Sequence, residues 1–403
     1  MEKGAAASGE GRPRRPKNGE APAPDKPMRS GFTTGACAAA TAKGATELLV
    51  TGQMPQHAVI WLPAGFDHQF ELIDQQLEGG SATCATIKDG GDDPDATHLA
   101  KIVATVSWRD EPGIELDGGI GVGRVTKPGL PVPVGEAAIN PVPRRMITEA
   151  VKQVLDEYGV ETGVRVVISV PAGEEIALKT LNARLGILGG ISILGTRGVV
   201  VPFSTSAYMA SVVQAISVAQ ASGCKEIVLT TGGRSEKYAM DMYPHLPEEA
   251  FIQMGEFVGF SLKHGKRLGM EKATLVGMPG KLSKVAQGVM MVHSKSAPVD
   301  FAFLAEAARE AGVAPELVEA VAGANTASQV AEMMVQAECY SFFETLCSYG
   351  CRHCLEHIGG GLTVGMVLVA MDGTLLGKAT VSDSDNGATE CSMKKLEGDR
   401  SID

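Results

Sequence analysis

Glu226-Ile-Val-Leu-Thr-Thr-Gly-Gly-Arg-Ser-Glu236 decides how this chain reads as a fold. Its apolar half, 226–230, predicts a short buried strand, and the run then breaks abruptly into a polar, Gly-rich turn. Open parallel sheets bind ligands where such strands end. A helix is predicted over 206–221 just before it. A helical stretch around 247–262, a strand over 273–276 and the turn Gly277-Met-Pro-Gly-Lys-Leu-Ser-Lys284 follow. Strand, turn and helix recurring in this order specify an α/β unit more firmly than any single motif does.

Upstream, a strand over 164–170 is read as the start of that second unit. It leads into Thr180-Leu-Asn-Ala-Arg-Leu-Gly-Ile-Leu-Gly-Gly-Ile-Ser-Ile-Leu-Gly-Thr-Arg-Gly198, where alternating Gly lets backbone run close to a ligand. Arg184 and Arg197 are either charge partners or loop pins. A first α/β unit precedes it, with strands at 57–62, 69–73 and 101–108 and helices at 36–49 and 144–158. Pro141 and Pro143 are read as an extended approach to the second helix. Downstream, 300–340 is helical by composition, and strands at 364–371 and 375–381 are joined by Asp372-Gly373. The chain is therefore a mixed α+β protein of the α/β class with at least two α/β units. The expected divisions are a disordered extension (1–27), an N-terminal unit (28–160), a second unit (161–300), a helical segment with C-terminal strands completing the fold (301–385), and a flexible tail (386–403).

Composition narrows the functional classes. With 36 basic against 47 acidic residues the formal charge is −11, which argues against a nucleic-acid partner while leaving room for a local basic pocket. No apolar run reaches the length of about eighteen residues that a membrane span needs, so no membrane partner is expected. The start of the chain lacks an apolar signal region, and the eight cysteines are scattered. Both observations fit reduced thiols in the cytoplasm. A homo-oligomer stays open.

Several segments could carry chemistry. Thr33 and Thr34 stand where the first helix begins, so its free N–H groups could hold a substrate acid group, or one of the two could simply cap the helix. In Lys88-Asp-Gly-Gly-Asp-Asp-Pro-Asp-Ala-Thr-His98 the acids Asp89, Asp92, Asp93 and Asp95 crowd beside His98. They must face water, a cation or hydrogen-bond donors. Gly118-Gly-Ile-Gly-Val-Gly123 fails as a dinucleotide fingerprint, because a Pro/Gly segment and not a helix follows it; it reads as a ligand or packing loop. Arg144 and Arg145 at a helix start oppose the dipole and would be satisfied by an acid or an anionic ligand, or by solvent. Lys281 and Lys284 share one helical face. Cys347, Cys351 and Cys354, with His357, have soft-metal ligand types but lack paired zinc knuckles, so packing thiols are the alternative. No nucleophile elbow, Walker loop or triad is found. That leaves chemistry in which the protein orients two substrates.

The ordered blocks Arg29-Ser-Gly-Phe-Thr-Thr-Gly-Ala-Cys37, Lys88–His98, Gly121-Val-Gly-Arg-Val-Thr-Lys-Pro-Gly-Leu through Arg144, Thr180–Thr196, Thr230–Glu236 and Gly277–Lys284 together resemble the cobalt-precorrin-5B C1-methyltransferases of anaerobic cobalamin biosynthesis. The resemblance implies a distinct corrin-biosynthesis methyltransferase architecture, not the common seven-stranded methyltransferase fold. It implies S-adenosyl-L-methionine as methyl donor and an anionic cobalt-corrin intermediate as acceptor, the cobalt entering with that substrate. Given such a substrate, Arg124, Lys127, Arg144, Arg145 and Lys281 are expected as carboxylate clamps, beside Thr33 and Thr34. Thr230, Gly232, Gly233 and Ser235 are expected in the donor loop. Asp92, Asp93 and His98 are expected to orient polar groups or handle a proton. Two departures stand out: Arg197 lies where the family often has Thr, and Ser204-Thr-Ser206 where an acidic pair often follows.

Overall fold

The computed structural model describes residues 28–293 and 297–384. The expected N-terminal extension (1–27) and C-terminal tail (386–403) fall outside that range. The described chain forms two units, each built on a five-stranded sheet.

The first sheet runs Ile73–Glu78, Ser81–Ile87, Lys101–Arg109, Gly163–Ser169, Ile114–Gly118, antiparallel except for its last pair. Along Lys101–Arg109, Ile102, Ala104 and Val106 are buried while their neighbours are half-exposed, the period of two expected of a sheet packed on one face. That face meets the helices Thr34–Thr51 and Pro141–Glu157. The first of these helices is almost entirely interior because it is built from Ala, Gly and Thr, so neighbouring backbones come close. A Cβ on Gly35 would strike Pro143 at 2.6 Å and one on Gly44 would strike Leu72 at 2.3 Å.

Two expectations are corrected here. The helix expected from Arg144 begins at Pro141, because proline at the first helical position lacks only an N–H that would have no partner in the helix. The strand expected over 164–170 to open the second unit forms as Gly163–Ser169 and instead pairs inside the first sheet between Lys101–Arg109 and Ile114–Gly118. Short strands then tie 187–191 to 121–125 and Val199–Val200 to Gly31–Phe32. A boundary at 160 would cut this hydrogen-bonded network, and the first unit continues to about residue 200.

The second sheet runs Phe251–Gln253, Glu226–Thr230, Lys272–Gly277, Thr363–Val369, Leu375–Val381, with only the last strand antiparallel. Its central strands are buried on both faces. Ile227 and Leu229 point into one core with the helices Thr205–Ala221, Val258–Arg267, Pro279–Ala286 and Ser341–Ile358, while Val228 points into another beneath Gly233–Met242. The helical stretch expected over 247–262 resolves into a short 3-10 turn, the edge strand Phe251–Gln253 and then Val258–Arg267. Phe251 and Ile252 are buried as sheet residues, and a strand of three leaves little periodicity to read.

The strand order places the site. From Glu226–Thr230 the chain moves outward to Phe251–Gln253, then crosses back to Lys272–Gly277 on the opposite side. Right-handed crossovers send the two connecting helices to opposite faces. A crevice opens between the carboxyl ends of Glu226–Thr230 and Lys272–Gly277, where the order reverses.

Candidate functional site

Two Gly-containing turns line this crevice. Thr230 is buried and its hydroxyl donates to Ile252 O at 3.3 Å. Ser235, also buried, accepts from Thr231 N at 3.1 Å and donates to Gly232 O at 2.8 Å. These two residues shape the turn from beneath. At Gly232 and Gly280 an added Cβ would meet nothing within 4 Å, and at Gly233 only Gln253 Nε2 at 3.9 Å. The open side of the turn is therefore Gly232, Gly233 and Gly280. The helices Gly233–Met242 and Pro279–Ala286 both start at these turns, so the Gly233 and Gly280 amides lie at helix N-termini, while Pro279 has no N–H and Lys281 N is bound to Met278 O at 3.2 Å. Lys281 Nζ reaches across the crevice to Thr231 O at 3.3 Å.

The glycines near 121 are of the other kind. A Cβ on Gly121 would lie 1.9 Å from Val170 O, and those on Gly173 and Gly190 would lie 2.0 and 2.1 Å from Gly121 O. They are packing glycines, and their segment is a backbone crossing with no room for a ligand. Sequence alone could not separate the two sets.

Between the units lies a cavity of about 240 Å³, walled by Asn140, Arg184 and Leu194 from the first unit and by Gln214, Ile252 and Gln253 from the second. Val132 also lines a broader groove of about 700 Å³ bordered by Arg144 and Arg145. Their ion pairs are loose, Arg144 with Glu136 at 3.9 Å and Arg145 with Glu149 at 3.8 Å, so both guanidiniums keep hydrogen-bonding capacity. The other expected clamps are engaged elsewhere. Arg124 binds Asp117 at 2.8 Å and Gly118 O at 3.3 Å, and Lys127 joins the units through Glu249.

The remaining candidates have clear local partners. Thr33 caps the first helix by accepting from Ala36 N at 3.2 Å, and Gly35 N is already bound to Leu194 O at 3.1 Å. Thr34 Oγ1 donates toward Leu194 O at 3.2 Å and accepts from Leu194 N at 2.9 Å, clipping that segment in place. In the acidic loop Asp92 accepts from Arg29 N at 2.6 Å, Asp93 from Phe203 N at 2.9 Å, and His98 Nδ1 from Gly90 N at 3.0 Å. Asp95 holds the fully buried Lys88 at 2.6 Å. Arg29, bonded to both Asp89 oxygens, and the Gly91 amide lower the Asp89 carboxyl to about 2. Donors thus answer each of these acids, and the loop fastens the first unit to the segment that leads into the second. Ser204, at one departure from the family pattern, caps Thr205–Ala221 by accepting from Ala207 N at 3.2 Å.

Cys347, Cys351 and Cys354 lie on the buried face of Ser341–Ile358, with Cys347 and Cys351 directed at Gly377 O and Ala379 O. Burial raises all three thiols, Cys351 to about 12. Among the described residues no group of three or more His, Cys, Asp or Glu converges as a metal site. No helix among them is long and apolar enough to cross a membrane.

Comparison with known proteins gives a consistent result. Residues 21–202 match the CbiD family and residues 291–380 the CbiD C-terminal domain. A cobalt-precorrin-5B C(1)-methyltransferase of Geobacillus kaustophilus is 65% identical over 361 residues, 90% of this chain and 97% of the relative. That of Geobacillus thermodenitrificans is 63% identical over 366 residues, 91% of this chain and 98% of the relative. The crystal structure of the cobalamin biosynthesis protein cbiD from Archaeoglobus fulgidus is 30% identical, spans 71% of this chain and 85% of its own, and superposes with a TM-score of 0.35.

Proposed function

Because the chain belongs to the CbiD family, we propose that its two units divide the work of a cobalt-precorrin-5B C(1)-methyltransferase. The enzyme transfers a methyl group to C1 of cobalt-precorrin-5B, giving cobalt-precorrin-6A. In our reading S-adenosylmethionine occupies the crevice between Gly232-Gly233 and Gly280-Lys281, and the macrocycle occupies the inter-unit cavity and the adjoining groove. The observation that carries this reading is a glycine-lined crevice, at the strand-order reversal, on a unit that shares a cavity with its neighbour.

The donor supplies a sulfonium methyl; the macrocycle supplies the electron pair for the new C–C bond, and sulfur leaves as a neutral thioether. No covalent nucleophile is required of the protein. The N–H groups at 233 and 280 suit the donor's amino-acid carboxylate, and the Lys281 ammonium adds charge on the same side. Arg144 and Arg145 suit the peripheral carboxylates of the macrocycle, where bidentate guanidinium contacts fix orientation. Apolar walls such as Leu194 and Ile252 exclude water while the sulfonium charge disperses.

Incubation with methyl-labelled S-adenosylmethionine and cobalt-precorrin-5B should label the corrin product. Binding of both ligands without transfer of label would overturn the proposal.

A further inference from the structure

We propose that Glu256 holds the ribose hydroxyls of the methyl donor's nucleoside; this rests on the donor's placement in the crevice above. In open parallel sheets with a reversal of strand order, a Gly-rich turn follows the first strand. An acidic side chain about 20 positions later, beyond the second strand, accepts hydrogen bonds from the ribose. In this chain the first strand is Glu226–Thr230, the turn is Gly232-Gly233, and the second strand ends at Gln253.

Two carboxylates lie near that strand end, and the structure separates their roles. Glu236 is 5% exposed and fully used, one oxygen bonded to Arg184 and the other accepting from Gln253 Nε2 at 2.7 Å. Glu256 accepts no hydrogen bond from a described residue through its side chain. His293 Nε2 lies 3.8 Å from its Oε2, and 25% of the Glu256 side chain remains exposed. A carboxylate in that setting retains acceptor capacity for two hydroxyl donors.

The turn that presents Glu256 is well defined. Gly255 has a φ of +63°, and a Cβ there would strike the Tyr208 hydroxyl at 2.8 Å. Tyr208 closes the turn by donating to Gln253 O at 3.2 Å, and Val292 N fixes Glu256 O at 3.0 Å. Burial and the nearby Glu256 and Glu236 charges push the Tyr208 phenol up, consistent with one compact cluster at this strand end. The competing structural role is that Glu256, preceding the helix Val258–Arg267, favours its dipole. That role gives no ribose selectivity, which makes the two readings separable.

The test is calorimetric titration of the full chain with S-adenosylhomocysteine and with its analogue lacking both ribose hydroxyls. E256Q should weaken S-adenosylhomocysteine about 10-fold or more and the analogue little, as expected for loss of hydrogen bonds to a charged group. E256A should repeat the pattern, with melting temperatures confirming the fold of both variants. G233V, whose Cβ is sterically tolerated, should abolish binding of both ligands. Equal losses for the two ligands in E256Q, with G233V inactive, would overturn the ribose role and leave the crevice standing. Unchanged binding in both E256Q and G233V would overturn both.

Discussion

Arg184 of the first unit and Glu236 of the second form an ion pair across the inter-unit boundary, with side chains only 14% and 7% exposed. Glu236 sits in the first turn of the helix Gly233–Met242 that follows the Gly-rich turn, so this contact ties the crevice to the other unit. Removing one partner strands a buried charge and should cost about 3 kcal/mol. R184M should therefore lower stability by that order and split a single unfolding transition into two in calorimetry. A single transition with unchanged midpoint would show that the pair does not couple the units.

Lys281 and the Arg144/Arg145 pair were grouped by sequence as corrin clamps, yet the fold sends them to different places. Lys281 spans the crevice to Thr231, while the arginines border the groove. K281Q should weaken S-adenosylhomocysteine about 10-fold and leave corrin binding nearly intact. R144Q/R145Q should do the reverse. Equal effects of either variant on both ligands, read by titration calorimetry, would refute this division.

The difference between those two cases shows what was legible in the chain. Where an apolar run met a polar turn, as in Glu226–Thr230, the strand bounds were readable to the residue because local contrast sets them. The N-cap of the first helix was readable to within Thr33 or Thr34 for the same reason, and the fold selects Thr33. Partnership across the chain was not. Gly163–Ser169 reads as a strand from its own residues, but its neighbours, Lys101–Arg109 and Ile114–Gly118, are fixed by tertiary pairing. Gly121 and Gly232 look alike in sequence, and only the backbone packed against the first marks it as structural. Glu256 escaped notice because its significance depends on the short strand Phe251–Gln253, hidden in a stretch of helical composition.

The three thiols of Ser341–Ile358 give a prediction about metal. A thiolate is the ligand form, and burial raises each thiol away from it. The native protein should withhold Cys347, Cys351 and Cys354 from a disulfide reagent until denaturant is added. Prolonged chelation should leave the melting temperature unchanged. A fall in melting temperature restored by zinc would refute the packing role.

Arg29 and Asp89 make the stability of the acidic loop pH-dependent. The Asp89 carboxyl is lowered to about 2, chiefly by the Arg29 hydrogen bond and then by the Gly91 amide. A lowered carboxylate contributes stability above its unfolded value, near 4, and loses it as the pH falls toward its folded value. Both side chains are about half exposed, so the contribution is small and screened by salt. R29Q should therefore have a lower urea midpoint than the parent at pH 6, with the gap closing between about pH 4 and about pH 2. It should also narrow at high ionic strength. A gap that stays constant through that window would mean the Arg29 side chain acts by its packing and not through its charge pair with Asp89.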